Sequence, residues 1–467
     1  MNFVSSEFLL FCLVALALYW VLKEKHKISL LLVASYVFYS FWDWRFAFLL
    51  MFLTISNHFL TKLMFDSIEV KTKRFILIGC LLSNLMVLGV FKYFNFFSDG
   101  IQKLFELLGF GLDTPTISIL LPLGLSFFIF QTSSYIIDVF RGVITPEKSF
   151  VNFATFVVYF PHMAAGPIMP ARVLLPQISA IKVKPNAEMV QSACFLIVIG
   201  LFRKIVIADT LAPMVNRILG NPSSFDWKAI LLATIGFGLQ IYGDFAGYSA
   251  MARGVSRLFG IEMMVNFRQP YLATSITDFW RRWHISLSSW FRDYLYVPLG
   301  GNRGKSQRTY LNLMIVMVIA GLWHGAAVGF LVWGLLHGLF LVLDKLARNS
   351  PIKWSVPTFI GVISGWLITQ ACVFFAWIFF RNPNLGDALY VITSILERRG
   401  GMFEISDGLL IVAALVTSFG IDLAEVHFGT KLRIGKPLVK GLVLGALVLV
   451  VTVMKSSSVI PFIYFRF

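Results

Sequence analysis

The sequence predicts an all-α protein threaded many times through a membrane, and three observations carry that expectation. Hydrophobic residues make up 58% of the 467 and charged residues only 14%, with a mean hydropathy of +0.78. Apolar runs of about 20 residues, long enough to cross the hydrocarbon core, recur from end to end. Those runs are continuous rather than alternating, which argues against a closed β-barrel. A soluble chain of this length would divide into two or three domains. This composition predicts instead one polytopic membrane domain over 1–467, with roughly 9 to 12 spans.

Taken in order, residues 1–22 are apolar but lack the basic start and small-residue cleavage site of a signal peptide, so they read as the first span. The basic loop 23–27 should be cytoplasmic, which leaves the N-terminus extracytoplasmic. Further apolar runs cover roughly 28–42, 45–65 and 74–97. Lys71, Lys73 and Arg74 make another basic loop, whereas the loop 98–116, with Asp99, Glu106 and Asp113, is not basic. The run 117–140 holds Pro122, Gly124 and a polar cluster, Gln131, Thr132, Ser133 and Ser134, and is closed by Asp138 and Arg141. Such breaks are tolerated at membrane depth only where protein or a water-filled cavity satisfies the backbone. Residues 159–170, YFPHMAAGPIMP, carry three prolines and His162 and read as re-entrant. After a polar loop to Glu188, runs cover roughly 190–212 and 228–250. Gln240, Tyr242, Asp244 and Tyr248 mark a polar path within the second of these. Later runs fall at about 310–326, 328–346, 357–380, 407–425 and 438–455.

Charge and cysteine usage remove several function classes. A net charge of +16 and a pI near 9.7 would suggest a nucleic-acid partner in a soluble protein. Here the basic residues sit in short loops between apolar runs, and no soluble basic domain exists to hold nucleic acid. Cys12, Cys80, Cys194 and Cys372 all lie in apolar runs and form no CxxC pair, so they read as buried small hydrophobes. No HExxH or clustered His/Cys/carboxylate set points to a metal. The sequence has no GxSxG elbow and no GxxxxGK[ST] loop, which disfavours a self-contained serine hydrolase and an ATP-driven pump.

The chain is organised around residues 269–346, and a catalytic core is expected over about 240–346. Between Arg253 and Arg308, nine basic residues face three acidic ones. Residues 278–295 read as one interfacial helix with Thr277 as its N-cap. Trp280, Trp283, Leu287, Trp290, Phe291 and Tyr294 share a face, and Arg281, His284, Ser288 and Arg292 form a neighbouring stripe. On that pattern alone His284 and the arginines could serve as interfacial anchors. His324 sits roughly mid-way along an apolar stretch between Gly321 and Gly325, which permit close approach of a ligand or another helix. An ionisable group there marks chemistry or a pathway by default. His337 lies thirteen residues on, near the same side of a helix but roughly 20 Å along, too far to join the same site directly, and reads as structural or part of a path.

Six segments give the chain a resemblance: FQTSSYIIDVFRG (130–142), FPHMAAGP (160–167), DFAGYS (244–249), DFWRRWHISLS (278–288), RDYLYVPLGGN (292–302) and GLWHGA (321–326). With the closing FIYFRF (462–467) they resemble, in order along most of the chain, the membrane-bound O-acyltransferase (MBOAT) family in its bacterial alginate O-acetyltransferase branch. The resemblance implies a ring of tilted helices around a thinned centre, with a narrow passage between the two membrane faces. It implies His324 as the catalytic histidine and His284 as the second, with Trp323, Gly321, Gly325, Asp244 and Tyr248 lining the passage. Where the family often has an acidic residue, this chain has Ala250. The implied donor is cytoplasmic acetyl-CoA, a substrate, with no permanently bound cofactor. The implied acceptor is a polysaccharide outside the cell: an alginate-like exopolysaccharide, cellulose or peptidoglycan. A partner of the SGNH-hydrolase type is implied to complete delivery, at a bacterial cytoplasmic membrane.

The expected roles follow from side-chain chemistry. Histidine, with an ordinary pKa of about 6.5, suits His324 as general base toward an acceptor hydroxyl. His284 would orient that acceptor or donate to the developing oxyanion, and an acetyl-histidine intermediate is the alternative chemistry. Arg281, Arg282, Arg303, Lys305 and Arg308 are the candidates for the CoA phosphates. Two other classes compete. A transporter or flippase for a polysaccharide precursor would show paired broken helices in matching halves, and none is evident in the sequence. A non-catalytic scaffold of a synthase complex would find both histidines dispensable.

Overall fold

The computed structural model describes residues 1–109, 120, 122–163, 166–180, 185–349, 358–428, 437–455 and 460–463. Asp113, the start of the run 117–140, Ala164 and Ala165, and the last four residues of the closing motif lie outside the described residues. All the elements are helical, and they cluster into two compact units, Met1–Pro185 with Ser256–Met264, and Asn186–Val255 with Val265–Phe467.

The first unit holds α1 (Ser6–Val21), α2 (Glu24–Asp66), α3 (Val70–Leu107), α4 (Leu125–Phe140), α5 (Phe150–Val158), α6 (Phe160–Met163) and α7 (Ala171–Ser179). Ser5 starts α1 by accepting from the backbone N–H of Phe8. The sequence runs 28–42 and 45–65 form one helix, α2, kinked at Asp43, whose backbone is extended and whose carboxylate accepts from Arg45 at 2.6 Å. Asn57 and Asn84 exchange amide hydrogen bonds of 3.1 and 3.2 Å and tie α2 to α3, a polar contact suited to an apolar surround. The polar cluster of α4 is spent on structure: Gln131 donates to the Phe156 carbonyl at 2.6 Å, and Thr132 and Ser134 return to their own helix. Among the described residues of the proline-rich stretch, Phe160–Met163 forms the buried turn α6, whose Phe160 N–H donates to Ser35 at 3.0 Å.

The second unit begins with α8 (Ala187–Phe202), which passes through a π-helical turn, Arg203–Asp209, into α9 (Thr210–Gly220). It continues with α10 (Trp227–Leu258), α11 (Ile276–Arg282), α12 (Ile285–Phe291), α13 (Ser306–His324), α14 (Val328–Asn349), α15 (Thr358–Arg381), α16 (Leu385–Leu396), α17 (Ile405–Phe428) and α18 (Pro437–Met454). The α13–α14 pair is an antiparallel hairpin: Gly321 meets Phe330, Gly334 meets Met317 and Gly338 meets Met314. A Cβ at Gly321 would overlap the Phe330 carbonyl oxygen, so glycine is what lets the two backbones close.

Among the described residues, seven helical stretches are long and apolar enough to cross a membrane: α2, α3, α8–α9, α10, α14, α15 and α17. Shorter apolar helices are α1, α4, α5–α6, α16 and α18, and the run 310–326 forms α13. The chain is an all-α, multi-pass membrane protein.

Candidate active site

The expected helix 278–295 is in fact α11, α12 and a π-helical turn, Arg292–Tyr296. Ser275, not Thr277, caps α11, its Oγ accepting from the Asp278 N–H at 3.1 Å. The helix stops at Arg282, and His284 adopts a left-handed backbone with φ 43° before α12 begins. A left-handed histidine is uncommon and persists only when its surroundings hold it. Here the neighbouring segment supplies the hold. The Arg268 N–H donates to the Arg282 carbonyl at 3.0 Å, and the Ile285 N–H donates to the Asn266 carbonyl at 2.9 Å. The break splits the aromatic face seen in the sequence. Trp280 turns to Trp333 and His337, while Trp283 packs with Phe267, Phe279 and Trp377.

His284 is fully buried, and Asn266 sets its tautomer. The Oδ1 of Asn266 accepts from the Ser286 N–H at 3.1 Å and from the Ser286 hydroxyl at 2.9 Å, which fixes that atom as the oxygen. His284 Nδ1 lies 3.3 Å from the same oxygen and so donates to it. The Nε2 of a neutral ring then keeps its lone pair. Burial pushes the His284 imidazole down to about 3, so the neutral form holds at physiological pH.

His324 is the last residue of α13, with Gly325 as the cap, so it sits where the apolar stretch turns from α13 into α14. Its ring lies 5.0 Å from Trp323, 5.0 Å from Trp333 and 5.1 Å from Phe380, and it is 4% exposed. Trp323 also faces His284, at 6.3 Å. The two histidines therefore share one indole. The hairpin sets Trp333 of α14 5.0 Å from His324, and His337, one turn further along α14, lies 4.8 Å from Trp333. Gly321 and Gly325 face Phe330, so helix packing rather than ligand approach uses their missing side chains.

Asp244 and Tyr248 serve a different purpose from lining an open passage. Asp244 pairs with Lys204 at 2.9 Å and accepts from the Ile463 N–H at 2.6 Å, while Tyr248 lies 4.5 Å from Phe462. Phe462 also contacts Phe245 at 5.5 Å, and Phe245 contacts His284 at 4.7 Å, so the 460–463 segment backs the site. The π-helical turn places Lys204 between Asp209, at 2.6 Å, and Asp244, and places Arg203 on Asp422 at 2.8 Å. Irregular turns of this kind recur at functional sites. The charges Arg203, Lys204 and Asp209 inside the run 190–212 were a sequence signal for this network. Asn266 carried none, since only the fold brings it to His284.

The candidate phosphate-binding cations occupy two elements. Arg281 and Arg282 close α11, and Arg282 is paired with Asp278 at 2.9 Å while Arg281 is exposed. Arg303, Lys305 and Arg308 are exposed around the start of α13, where Arg308 donates to the Leu299 carbonyl at 3.3 Å. Lys345, near the end of α14, donates to Asn302 at 2.8 Å, so both ends of the hairpin meet in one basic region.

Residues 145–380 match the MBOAT, membrane-bound O-acyltransferase, family. The chain is 38% identical to the probable alginate O-acetylase AlgI of Pseudomonas aeruginosa, over 90% of this chain and 81% of that one. It is 34% identical to the peptidoglycan O-acetyltransferase of Helicobacter pylori, over 79% of this chain and 74% of that one. A teichoic acid D-alanyltransferase of Streptococcus thermophilus is 31% identical over 49% of this chain and 58% of its own length. With two buried histidines held around one tryptophan in a bundle of apolar helices, the chain belongs to the membrane-bound O-acyltransferase family and is a multi-pass membrane acyltransferase.

Proposed function

We propose that the protein moves an acetyl group from cytoplasmic acetyl-CoA across a bacterial cytoplasmic membrane to hydroxyls of an extracytoplasmic polysaccharide. The relatives named for alginate and peptidoglycan O-acetylation support the acceptor class, and a partner of the SGNH-hydrolase type completes delivery to the sugar. One geometric fact supports the chemistry most: His284 and His324 are both buried and both border Trp323.

In the proposed step, His324 takes the proton of the acceptor hydroxyl as its oxygen attacks the thioester carbonyl. The carbon–sulfur bond then breaks, and the imidazolium returns the proton to the departing thiolate. His284 accepts a hydrogen bond at Nε2 from a second hydroxyl of the acceptor, beside the one that reacts, and so orients it, because its Nδ1–H is engaged by Asn266. The neutral ring has no second proton with which to serve an oxyanion. The nucleotide stays on the cytoplasmic side, since several negative charges would cross an aromatic interior only at great cost. The basic loop 23–27 faces the same side, with the N-terminus opposite.

Vesicles with the cytoplasmic face outward test the proposal. Given acetyl-CoA labelled on both acetyl and nucleotide, they should accumulate only the acetyl label on a lumenal acceptor. Lumenal nucleotide label above the leak of empty vesicles would favour a transporter instead.

A further inference from the structure

We propose that Trp280, Trp333 and His337 form a second polar subsite within the aromatic wall, one that binds a secondary amide of the donor's thioester arm. The proposal rests on the acetyl-CoA reaction given above. His337 is fully buried, with its ring 5.1 Å from Trp280 and 4.8 Å from Trp333, and the two indoles lie 5.8 Å apart. The Nε1 of Trp280, the Nε1 of Trp333 and both ring nitrogens of His337 are buried, and none has a hydrogen-bond partner among the described residues. Buried polar atoms are nearly always paired, so this many on three touching side chains call for a ligand.

The donor and acceptor count selects the ligand. An indole N–H can only donate, and a neutral imidazole donates from one nitrogen and accepts at the other. The set thus offers three donors and one acceptor. A secondary amide takes two of those donors on its carbonyl oxygen and gives its N–H to the imidazole lone pair. Its flat faces suit ring walls, and Phe279 lies parallel to His337 at 6.1 Å. An anion would need a counter-charge, and no side chain of this cage carries one.

Position selects the donor over the acceptor sugar. Trp333 is common to both sites, 5.0 Å from His324 and 4.8 Å from His337. Beyond His337, α14 runs roughly 12 Å further, at about 1.5 Å per residue, to Lys345 and then Arg348. Lys345 meets Asn302 there, and Arg348 pairs with Asp344. Basic ends of spans lie on the cytoplasmic side. The subsite therefore falls between the reacting histidine and the basic end. A pantetheine thioester likewise carries its amides between sulfur and phosphate.

Three small donors test this on the purified full chain. N,S-diacetylcysteamine has a secondary amide, S,O-diacetyl-2-mercaptoethanol replaces that amide with an ester, and S-ethyl thioacetate has no arm carbonyl. Wild type should prefer the amide to the ester by about tenfold in kcat/KM, the size of one well-made hydrogen bond. His337→Phe keeps a buried ring but removes the acceptor, and should bring that ratio to within about twofold of unity. Each ratio is internal to one protein sample, so losses in folded yield cancel. If His337→Phe does not accumulate, Trp280→Phe at a half-buried ring should cut the advantage of the amide over S-ethyl thioacetate by about fivefold. Equal use of amide and ester by wild type overturns the proposal, as does an unchanged ratio in His337→Phe or an unchanged advantage in Trp280→Phe. The nitrogens would then belong to water or ring faces. Failure of wild type with every thioester, acetyl-CoA included, overturns the reaction itself and removes the ligand with it.

Discussion

The imidazoles of His284 and His324 share the indole of Trp323, whose centroid lies 6.3 Å from the first and 5.0 Å from the second. Spacing of this kind is exacting, because displacing a reacting group by an ångström can cost about a hundredfold in rate. Trp323→Ala should therefore lower kcat about 100-fold, while Trp323→Phe, which keeps a ring between the histidines, should stay within about tenfold of wild type. Steady-state rates of the two purified variants decide the matter, and equal losses would show that the ring is not a spacer.

His324→Ala should lower kcat by at least about 100-fold with the donor KM little changed, as expected when a general base is removed. The variant should elute as wild type does on size exclusion. A rate above a tenth of wild type would remove His324 from the proton transfer.

The pH profile probes His284 through its neighbour. With its pKa held down to about 3 by burial, the wild-type ring stays neutral and adds no limb between about pH 5 and 8. Asn266→Asp sets a negative charge against Nδ1–H and raises that pKa. Protonation then removes the Nε2 lone pair, so kcat/KM should fall as pH falls, with a new acid limb. The same linkage has a stability sign: a histidine with a depressed folded pKa binds its proton more readily when unfolded. Its contribution is therefore complete above about pH 6.5 and is lost as pH drops toward the folded value. Superimposable rate profiles for the two proteins would contradict the Asn266–His284 contact.

Gly321→Ala should act on folding rather than on passage. The added methyl would meet the Phe330 carbonyl, and forcing extra volume into a packed contact costs about 1–3 kcal/mol or more. The thermal midpoint in detergent should drop by several degrees, with donor KM unchanged in the surviving fraction. A stable variant that binds donor but cannot transfer would restore the passage-lining role.

The two arginines of α11 should separate. Arg281→Gln, at an exposed and uncommitted side chain, should raise the KM for acetyl-CoA by about three- to tenfold, as loss of a charge-assisted phosphate contact would. Arg282→Gln should leave KM within about twofold, since Arg282 is already engaged by Asp278 and a half-exposed pair of this kind contributes little. Donor titrations of both proteins test the order.

What the sequence disclosed and what it hid follow a physical line. Membrane spans were legible because length and hydropathy alone decide whether a helix suits the bilayer. His324 stood out because ionisable groups are rare in such stretches. The break before His284 was hidden because Trp283 and His284 carry no breaker signal. Tertiary hydrogen bonds from Asn266 and Arg268 make that break. The boundary between the runs 310–326 and 328–346 marked where α13 gives way to α14, but nothing in Gly325, Ala326 and Ala327 set the sense of the turn, so His337 read as far along one helix when it lies on the returning arm. Arg203 and Lys204 are legible as charges within an apolar run. Their partners Asp422 and Asp244 are set by fold rather than spacing.

The hydrogen bond from Ile463 to Asp244 joins residues 219 positions apart. At about 5–20 residues per second, a ribosome needs on the order of 10–40 seconds to make the chain between them. Through that interval Lys204 can already hold Asp244, and the spans of the second unit can enter the bilayer as they emerge. Phe462 cannot yet stand against Phe245, the ring beside His284. Insertion and the last step of site assembly are thus separate events in biosynthesis. A chain stalled in that interval would sit in the membrane, paired and packed, and still be without the neighbour that backs its histidine.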